Sequence, residues 1–529
     1  MSVQAESSEP LLVSVRNPAS GELIGQYLEH TAEAVRAVIR RAHAAQPSWN
    51  GTPISERRHC INRMRMLLLA QTDEIAQLIS SCVGKPRVEA LATEILPSVA
   101  GSRWYTRHAQ QYLKPRHLRN GSLLFFSKRN TVYRVPWGVV GIISPWNYPL
   151  GIPMHEIVPA LLAGNTVVFK TAPETLPVGY KLAELFQKSG LPEGVFQHVN
   201  IDGPRCGDLF LESGGVDKLF FTGSVRVGKL LMEKAARTLT PVSLELGGKD
   251  AMIVCADADL ERATAGAVWA GLSNAGQSCA GVERIYVHRA VYAPFMELLT
   301  KKVESLRVGH DTDFNVDVGA LCTDRQVETV QHHLEEAFQR GAIVTAKAGP
   351  AAENNSHFIP PIVLTQVDHQ MAVMREETFG PVLGIMQVED DVEAIRLAND
   401  SKYGLTGSVW SRDTKKAVRF AERITAGAVM INDHLLSHGL TETPWGGFKD
   451  SGKERGHGRF AFEAVTSPKV IVNDWLKLTR HQPFWMPYDQ QTYIGLKGIL
   501  AGFYARGVTQ RLAGLRQAIT LLPRMFSRH

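Results

Sequence analysis

Two short segments of the chain carry side chains suited to covalent catalysis. Cys279 stands between small residues in Gly-Gln-Ser-Cys-Ala (276–280), after a predicted helix, so its thiol can be exposed. A thiolate is a strong nucleophile, but a lone Cys is more often a small buried apolar residue. Glu245 precedes two glycines in Glu-Leu-Gly-Gly-Lys (245–249), which suits either a mobile general base or a surface carboxylate. Taken alone, neither segment identifies a function.

Two further segments are typical of ligand sites in α/β proteins. Ser-Pro-Trp-Asn-Tyr-Pro (144–149) directly follows a predicted strand, and its two prolines indicate a rigid loop that presents Asn147. Phe-Thr-Gly-Ser (221–224) joins a strand to a helix, so Gly223 lets a ligand come close and the helix N-terminus offers N–H groups to a phosphate. Each segment also fits a plain turn, and the glycine spacing differs from the usual dinucleotide fingerprint.

The elements that must position these segments alternate between strand and helix. Strands are predicted near 139–143, 166–169, 195–199, 218–221, 251–254, 283–287 and 361–366. Helices are predicted near 31–50, 54–81, 157–163, 178–189, 204–213, 259–274, 290–305 and 324–340. This alternation predicts βαβ units, mostly parallel sheets and an α/β fold class. Two β-rich runs, 122–127 and 131–135, predict a hairpin that turns at 128–130.

In order and spacing, the four segments resemble the aldehyde dehydrogenase superfamily. The likeness runs from about Val15 to Val472. It also includes Glu-Glu-Thr-Phe-Gly-Pro-Val (376–382), Tyr-Gly-Leu (403–405) and Pro-Trp-Gly-Gly-Phe-Lys-Asp-Ser-Gly (444–452). The resemblance implies a Rossmann-like cofactor domain, an α/β catalytic domain and a small β oligomerisation arm.

The expected domain boundaries follow from that resemblance. The cofactor-binding domain is expected at 1–115 and 135–245, the catalytic domain at 246–445, the arm at 116–134 and 458–473, and a C-terminal amphipathic tail at 474–529. The arm implies a homodimer or a homotetramer.

The resemblance also implies the catalytic roles. Cys279 matches the nucleophile, which requires a lowered thiol pKa or a nearby base. The Asn147 side chain and the Cys279 backbone N–H match the oxyanion hole. Glu245 matches the general base that activates water against the thioester. Relatives that pass the acyl group to coenzyme A usually lack this carboxylate, so release of a free carboxylic acid is expected.

A nicotinamide cofactor is the second implication of the resemblance. The residues that match the family's cofactor contacts are Ile143, Trp146, Lys170, Gly223, Ser224, Leu246, Glu377 and Phe379. NAD-preferring relatives often place a Glu three residues after the Lys that matches Lys170, whereas this chain has Pro173 there and Glu174 next. This departure leaves the choice between the two cofactors open; NAD is expected, and NADP stays possible.

The substrate is predicted less directly. Ile152, His155 and Glu156 occupy a helical stretch where many relatives carry a bulky aromatic residue. His155 is read either as a substrate contact or as a hydrogen-bonded helix residue, and His457 and Arg459 as structural residues. The expected substrate is an apolar, long-chain or polyene aldehyde. The alternatives are a small polar aldehyde, a coenzyme-A-acylating enzyme and a non-catalytic scaffold.

The net charge of the 529-residue chain is confined to its C-terminal tail. From Asp474 onward there are eight Lys or Arg and two Asp or Glu, which accounts for the whole net charge of +6 and leaves residues 1–473 formally neutral. The tail's apolar residues recur three to five apart, at Leu496, Leu500, Phe503, Val508, Leu512, Leu515, Ile519 and Leu522. Two hypotheses fit this stripe: an interfacial helix on anionic lipid, and a cap on the enzyme body or on a partner subunit.

Several other classes of function are disfavoured by composition. The neutral body gives no reason to expect nucleic-acid binding. The six cysteines form no Cys-x-x-Cys pair, so neither a zinc knuckle nor any other metal site is expected, and a reducing compartment is favoured. Residues 1–10 lack the pattern of a secretory signal, and no apolar run is long enough to span a membrane. A cytoplasmic enzyme is expected, with possible contact to the inner membrane face through 474–529.

Overall fold

The computed structural model describes residues 11–122, 125–349, 355–476, 479–482 and 484–526. The N-terminal residues 1–10, for which no secretory signal is predicted, lie outside these ranges. The chain divides into two compact units: the first comprises residues up to Leu113 and Val135–Ser467, and the second comprises Lys114–Arg134 and the residues from Pro468 onward.

The strands and helices follow one another through both units. The strands are β1 (Leu12–Arg16), β2 (Leu23–Leu28), β3 (Arg116–Leu118), β4 (Lys128–Pro136), β5 (Val139–Ile143), β6 (Thr166–Lys170), β7 (Phe196–Val199), β8 (Lys218–Thr222), β9 (Val242–Glu245), β10 (Asp250–Val254), β11 (Val282–His288), β12 (Ile343–Lys347), β13 (Ile362–Thr365), β14 (Val382–Val388), β15 (Thr406–Trp410), β16 (Ala428–Ile431), β17 (Gly452–Lys453) and β18 (Thr466–Asp474). The helices are α1 (Ala32–Gly51), α2 (Ile54–Ala70), α3 (Thr72–Val83), α4 (Arg87–Ala90), α5 (Leu96–Leu113), α6 (Gly151–Ala163), α7 (Leu176–Lys188), α8 (Gly203–Phe210), α9 (Val225–Ala235), α10 (Leu260–Leu272), α11 (Tyr292–Glu304), α12 (Asp324–Gln339), α13 (Ala372–Arg375), α14 (Asp391–Asn399), α15 (Thr414–Ala421), α16 (Gly458–Ala464), α17 (Gln490–Tyr504), α18 (Val508–Ala518) and α19 (Leu522–Phe526).

The prediction of an α/β fold with strand–helix alternation is confirmed. One predicted helix is wrong in detail, because 54–81 is two helices. The backbone leaves helical geometry at Gln71, with φ −114° and ψ 26°, so α2 ends there and α3 begins at Thr72.

A six-stranded sheet holds the first half of the larger unit, in the order β17-β9-β8-β5-β6-β7. Its strands are parallel except for β17, which pairs antiparallel with β9 so that Gly452 lies opposite Glu245. Every residue of β5, β6 and β8 is buried, as expected for a parallel sheet covered by helices on both faces. The carboxyl ends of β5, β6, β8 and β9 therefore meet at one edge.

A seven-stranded sheet holds the second half of the same unit, in the order β12-β13-β14-β11-β10-β15-β16. Only β12 runs antiparallel to its neighbour. The loop that contains Cys279 precedes β11, one of the three central strands, and its anchoring on that strand keeps it near the ends of the first sheet's strands.

The second unit contains a three-stranded sheet, β18-β4-β3, and the C-terminal helices. The predicted hairpin is wrong in register, since 128–130 lies within β4 instead of forming a turn. Arg116 pairs with Val132 and Leu118 with Asn130, so the connection spans 119–127. The Asn120 side chain closes that connection by donating to the carbonyls of Phe125 and Lys128, 2.7 and 2.8 Å away.

The tail forms an antiparallel helical hairpin from α17 and α18. Its glycines lie where the two helices meet: a Cβ on Gly498 would be 2.6 Å from the Gly514 carbonyl oxygen, and one on Gly502 would be 2.9 Å from the Leu515 side chain. The predicted apolar stripe is largely exposed, at Leu500, Val508, Leu512, Leu515, Ile519 and Leu522. The hairpin thus packs through small residues and turns large apolar ones outward. Among the described residues, none of the helices has the length and apolar character needed to cross a bilayer.

Candidate active site

Cys279 and Glu245 line one cavity in the larger unit. Glu245 is the last residue of β9, and Cys279 lies in the loop between α10 and β11. The walls are mostly apolar, and include Ala92, Pro97, Ile152, Pro159, Phe220, Trp269, Leu435, Leu436 and Trp445. The cavity therefore joins a thiol and a carboxylate to a largely apolar surface.

A strained turn fixes the loop that carries Cys279. Asn274, Ala275 and Gly276 have φ values of 54°, 53° and 72°, a left-handed run that ordinary side chains rarely adopt. Both carboxylate oxygens of Glu89 accept from the Asn274 backbone N–H, at 3.0 Å. Only Gly fits at position 276, since a Cβ there would be 2.1 Å from the Gly380 carbonyl oxygen. The fold stores strain where the thiol is presented.

Asn147 is tied to the same loop. Its side-chain amide donates to the Gln277 carbonyl at 3.1 Å, which uses one of the two N–H donors of that amide. Its backbone carbonyl accepts from the Asn274 side chain at 3.1 Å and from the Lys85 ammonium at 2.7 Å. The amide is buried, and it is held by a residue two positions before Cys279.

Lys85 and Glu94 form a fully buried ion pair, 2.9 Å apart, beneath this loop. The second oxygen of Glu94 accepts from the N–H groups of Leu150 and Gly151, at 2.8 and 3.2 Å. The pair therefore connects the Asn147 loop to the start of α6. Sequence reasoning missed Lys85, Glu89 and Glu94. The only signal for them in the sequence is that charged residues stand beside apolar residues in or next to a helical segment.

Burial dominates the protonation of the two reactive groups. It raises the pKa of Glu245 to about 8, against the opposing effects of Arg455 and a hydrogen bond from Trp445. One Glu245 oxygen is buried without a hydrogen-bond partner in the described part of the chain. Burial, followed by the carboxylates of Glu377, Asp250 and Glu245, raises the pKa of the Cys279 thiol. Of the two expected ways to activate the thiol, a nearby base therefore fits and a lowered pKa does not.

Glu156 adds a second carboxyl group to the cavity wall. Burial and the Glu245 carboxylate raise its pKa well above the usual range. Its neighbour His155 lines the cavity and contacts the Tyr105 hydroxyl through Nδ1 at 3.3 Å, which combines the two predicted alternatives for that residue. His457, predicted to be structural, also lines the cavity.

The predicted phosphate contacts lie at the start of α9. Ser224 caps this helix through its hydroxyl, and the Gly223 N–H donates to the Glu245 carbonyl at 3.0 Å. Leu246 packs against α9, where a Cβ on Gly228 would be 2.6 Å from it. The fold thus brings the N-terminus of α9 close to Leu246 and to the end of β9, where Glu245 lies.

The predicted nicotinamide contacts lie on the far side of Glu245. Glu377 accepts the Gly248 N–H at 3.0 Å, and burial raises its pKa to about 8. Trp146 meets Phe379 edge-on, with ring centroids 5.6 Å apart. Ile143 and Lys170 end the paired strands β5 and β6, and both are buried. The segments that follow β5, β6, β8 and β9 therefore lie at one edge of the six-stranded sheet.

Comparison with known proteins agrees with this arrangement. Residues 3–471 match the family described as Aldehyde dehydrogenase family. The chain is 38% identical over 492 residues to a 4,4'-diapolycopene aldehyde oxidase of Methylomonas sp., covering 93% of this chain and 91% of that protein. It is 39% identical over 443 residues to a putative NADP-linked succinate-semialdehyde dehydrogenase of Mycolicibacterium smegmatis, covering 84% and 85%.

Solved structures give the same result. The NAD+ complex of an aldehyde dehydrogenase from Bacillus cereus superposes with a TM-score of 0.83 at 32% identity, covering 88% of this chain and 93% of that one. The prediction of an oxidoreductase that works with NAD or NADP is confirmed at the level of the family. The chain belongs to the aldehyde dehydrogenase family.

Proposed function

We propose that this enzyme oxidises an apolar, long-chain or polyene aldehyde to the carboxylic acid. The observation that carries the proposal is the single cavity in which Cys279 and Glu245 share largely apolar walls. An aldehyde whose chain lies along Ile152, Trp269 and Leu435 would place its carbonyl group at the thiol.

The first step is attack of the Cys279 thiolate on the aldehyde carbon, which forms a C–S bond and places negative charge on the carbonyl oxygen. Because burial disfavours the thiolate, Glu245 is proposed to take the thiol proton. The Asn147 amide and the Cys279 backbone N–H are proposed to stabilise the oxyanion. A donor of this type contributes about 3–4 kcal/mol to lowering the barrier.

Bound NAD(P) supplies the oxidant, since its nicotinamide accepts the hydride that leaves the tetrahedral adduct. The residues of this chain fit such a group: the α9 N-terminus at Gly223 and Ser224 would offer N–H groups to the pyrophosphate, and Lys170, at the end of β6, and Glu377, in the loop between α13 and β14, would contact the two riboses. Pro173 leaves the position that often repels a 2′-phosphate without a carboxylate. Both cofactors are therefore proposed to bind, with NAD expected to be preferred.

Hydrolysis of the Cys279 thioester completes the reaction. Glu245 first releases the thiol proton to solvent and then takes a proton from water; the hydroxide attacks the acyl carbon, and the C–S bond breaks to return the thiolate. The buried Glu245 oxygen without a hydrogen-bond partner among the described residues is available for that water. This role favours release of a free acid over transfer to coenzyme A.

The tail supports an apolar, membrane-derived substrate. An alignment of 492 residues must reach at least residue 492, so the likeness to the 4,4'-diapolycopene aldehyde oxidase extends into the tail, beyond the family match that ends at 471. The outward residues of the α17–α18 hairpin are apolar and cationic, including Leu500, Leu512, Arg506 and Arg511. We infer that this face contacts anionic lipid.

A small polar semialdehyde is the second candidate. Lys453 and Arg455 are among the residues that line the cavity, and a cation there suits a substrate carboxylate. The mycobacterial relatives named for succinate semialdehyde point the same way. The apolar walls favour the long-chain substrate over this one.

A panel of aldehydes distinguishes the candidates. Straight-chain and polyene aldehydes of graded length and succinate semialdehyde are each oxidised with NAD and with NADP, and kcat/KM is compared. The proposal predicts that kcat/KM rises with chain length and that Cys279→Ser abolishes turnover. A preference for the short, charged aldehyde would overturn the long-chain assignment. Turnover by Cys279→Ser at the wild-type rate would overturn the mechanism.

A further inference from the structure

Three histidines from separate parts of the chain meet on the wall of the cavity. His155 lies on α6, His438 in the short helical turn Leu436–Gly439, and His457 directly before α16. One ring nitrogen from each lies within 4.8 Å of the other two. All three residues line the cavity that also contains Cys279.

Two of the three rings stack on each other, and the third meets both of them edge-on. His155 and His457 stack with centroids 4.2 Å apart, and His438 meets them edge-on at 5.3 and 4.9 Å. Nε2 of His155 and Nδ1 of His457 are buried and have no hydrogen-bond partner in the ranges that the structure describes. Buried polar atoms of this kind are rare unless a ligand, water or ion satisfies them.

The surroundings hold the rings in place. The Tyr105 hydroxyl contacts Nδ1 of His155 at 3.3 Å, which leaves Nε2 as the free nitrogen. His457 has a φ of 58°, a backbone conformation that residues other than glycine rarely adopt. His438 meets Trp445 edge-on at 4.8 Å. A hydrogen bond to the second nitrogen of a ligating His and a strained backbone are both typical of functional sites.

We propose that His155, His438 and His457 bind one divalent transition-metal ion of the Zn²⁺ type. Neutral imidazole suits Zn²⁺, Co²⁺, Ni²⁺ and Cu²⁺, and it does not suit Mg²⁺ or Ca²⁺. Three protein ligands leave a fourth position, which opens into the cavity that the rings line.

Binding one ion requires the rings to rotate from their present stacked and edge-on packing, so that one nitrogen of each points to a common centre. Nitrogens about 2.1 Å from one tetrahedral Zn²⁺ are about 3.4 Å apart, against the present limit of 4.8 Å. The ligand positions are 155, 438 and 457, with no local ligand spacing such as His-x-x-x-His, which explains why no metal site is expected from the sequence. The site goes beyond the proposed oxidation of an aldehyde, and its test needs neither aldehyde nor cofactor.

Metal binding is measured on the full-length protein after treatment with a chelator. Zn²⁺ is titrated by calorimetry, and Co²⁺ by its visible absorption, in a Cys279→Ser background so that the thiol cannot be the ligand. We expect one ion per chain. His155→Gln or His438→Gln should weaken binding at least tenfold, and the double variant should abolish it. In the control His369→Gln, binding should be unchanged, because that ring is already held by Tyr286 and Asp400 at 2.9 Å.

Tyr105→Phe keeps all three ligands and removes only the contact to His155. It should weaken binding about 10- to 100-fold, the usual effect of losing such a support, which keeps the test valid if a histidine variant fails to fold. Absence of binding in the Cys279→Ser protein, or equal affinity in the His155→Gln/His438→Gln variant, would overturn the proposal and leave the rings as a packing cluster only.

Discussion

Glu245 combines a catalytic position with a strongly shifted protonation equilibrium. Burial raises its pKa to about 8, so the carboxyl group is largely protonated at neutral pH. A general base must be deprotonated before it accepts a proton. The pKa of the Cys279 thiol is raised as well, and the proposed mechanism assigns its deprotonation to that same group. We therefore expect Cys279 and Glu245 to react fastest under weakly alkaline conditions.

The first prediction concerns pH. Because the basic form of Glu245 accumulates as pH rises through about 8, kcat/KM should increase across that value and level off above it. Steady-state rates between pH 6 and pH 10 test this. Because kcat/KM reports the ionisation of the free enzyme, a profile that is flat from pH 6 to pH 8 would contradict the raised pKa of Glu245 as the controlling ionisation.

The second prediction separates the two proton transfers assigned to Glu245. Glu245→Gln should lower steady-state turnover by about 10²–10⁴-fold, the usual contribution of a general base. If Glu245 acts only on water, a burst of one NAD(P)H per active site persists in stopped-flow absorbance. If it also activates Cys279, the burst slows in parallel. Turnover within a few-fold of wild type would exclude Glu245 as the base.

The element that supports the nucleophile loop is the irregular helical stretch from α4 to α5. It carries Glu89 against the strained Asn274 backbone and Glu94 against Lys85. A buried ion pair contributes modest net stability, but removing one partner leaves the other charge unpaired in the interior. The Lys85–Glu94 pair thus matters chiefly because it positions Asn147 and the start of α6.

The third prediction tests this support. Lys85→Met should lower the free energy of unfolding by about 3–5 kcal/mol, because it leaves the Glu94 carboxylate buried without its cation. The control Lys301→Met removes an exposed pair with Glu297, and it should lower the free energy of unfolding far less. Thermal and denaturant unfolding followed by circular dichroism compare the two. Equal effects would show that the buried pair has no special role.

A fourth prediction concerns the tail hairpin. Gly498→Val places side-chain atoms where a Cβ alone would be 2.6 Å from the backbone of Gly514 and Ala518, so α17 and α18 must separate. Limited proteolysis should then cut near 505–507 much faster than in wild type. Gly507→Ala is the control, since its Cβ would meet only the Gln510 side chain at 3.7 Å or more. Similar cutting of both variants would refute close packing through glycine.

At the scale of the whole molecule, the net charge and the proposed catalytic residues lie in different parts of the chain. The formally neutral residues 1–473 contain the catalytic cavity, and the net charge of +6 belongs to the tail. A cationic, apolar surface on an aldehyde dehydrogenase suits a substrate that is delivered from a membrane. Each Lys or Arg near an anionic surface contributes about 1 kcal/mol to binding.

The fifth prediction is made for the intact enzyme. Truncation before Trp475 should abolish cosedimentation with vesicles containing anionic lipid, while wild-type binding should weaken with salt. Vesicles of neutral lipid are the control. Truncation should also reduce oxidation of long-chain aldehydes more than of short ones. Unchanged vesicle binding and unchanged selectivity would assign the tail to the alternative role of a cap on the enzyme body or on a partner subunit.

The sequence by itself was sufficient for the fold class and the reaction family. Strand–helix alternation is a local pattern, and the segments around Asn147, Gly223, Glu245 and Cys279 are each a few residues long at predictable strand or helix ends. Such signals survive in a linear sequence because backbone geometry near each residue produces them. The roles of these residues stay predictions that the proposed variants test.

The tertiary structure alone determines the burial of these residues, their contacts and the direction of their pKa shifts. The direction in which the pKa of Cys279 shifts depends first on burial and then on carboxylates that are distant in sequence, and Lys85 contacts Asn147 and Glu94 only after folding. The glycines of the tail look like helix breakers in sequence, yet they form the contact between two helices. His155, His438 and His457 meet because distant segments pack together. Burial and long-range contact fix these properties, and neither is encoded in local spacing.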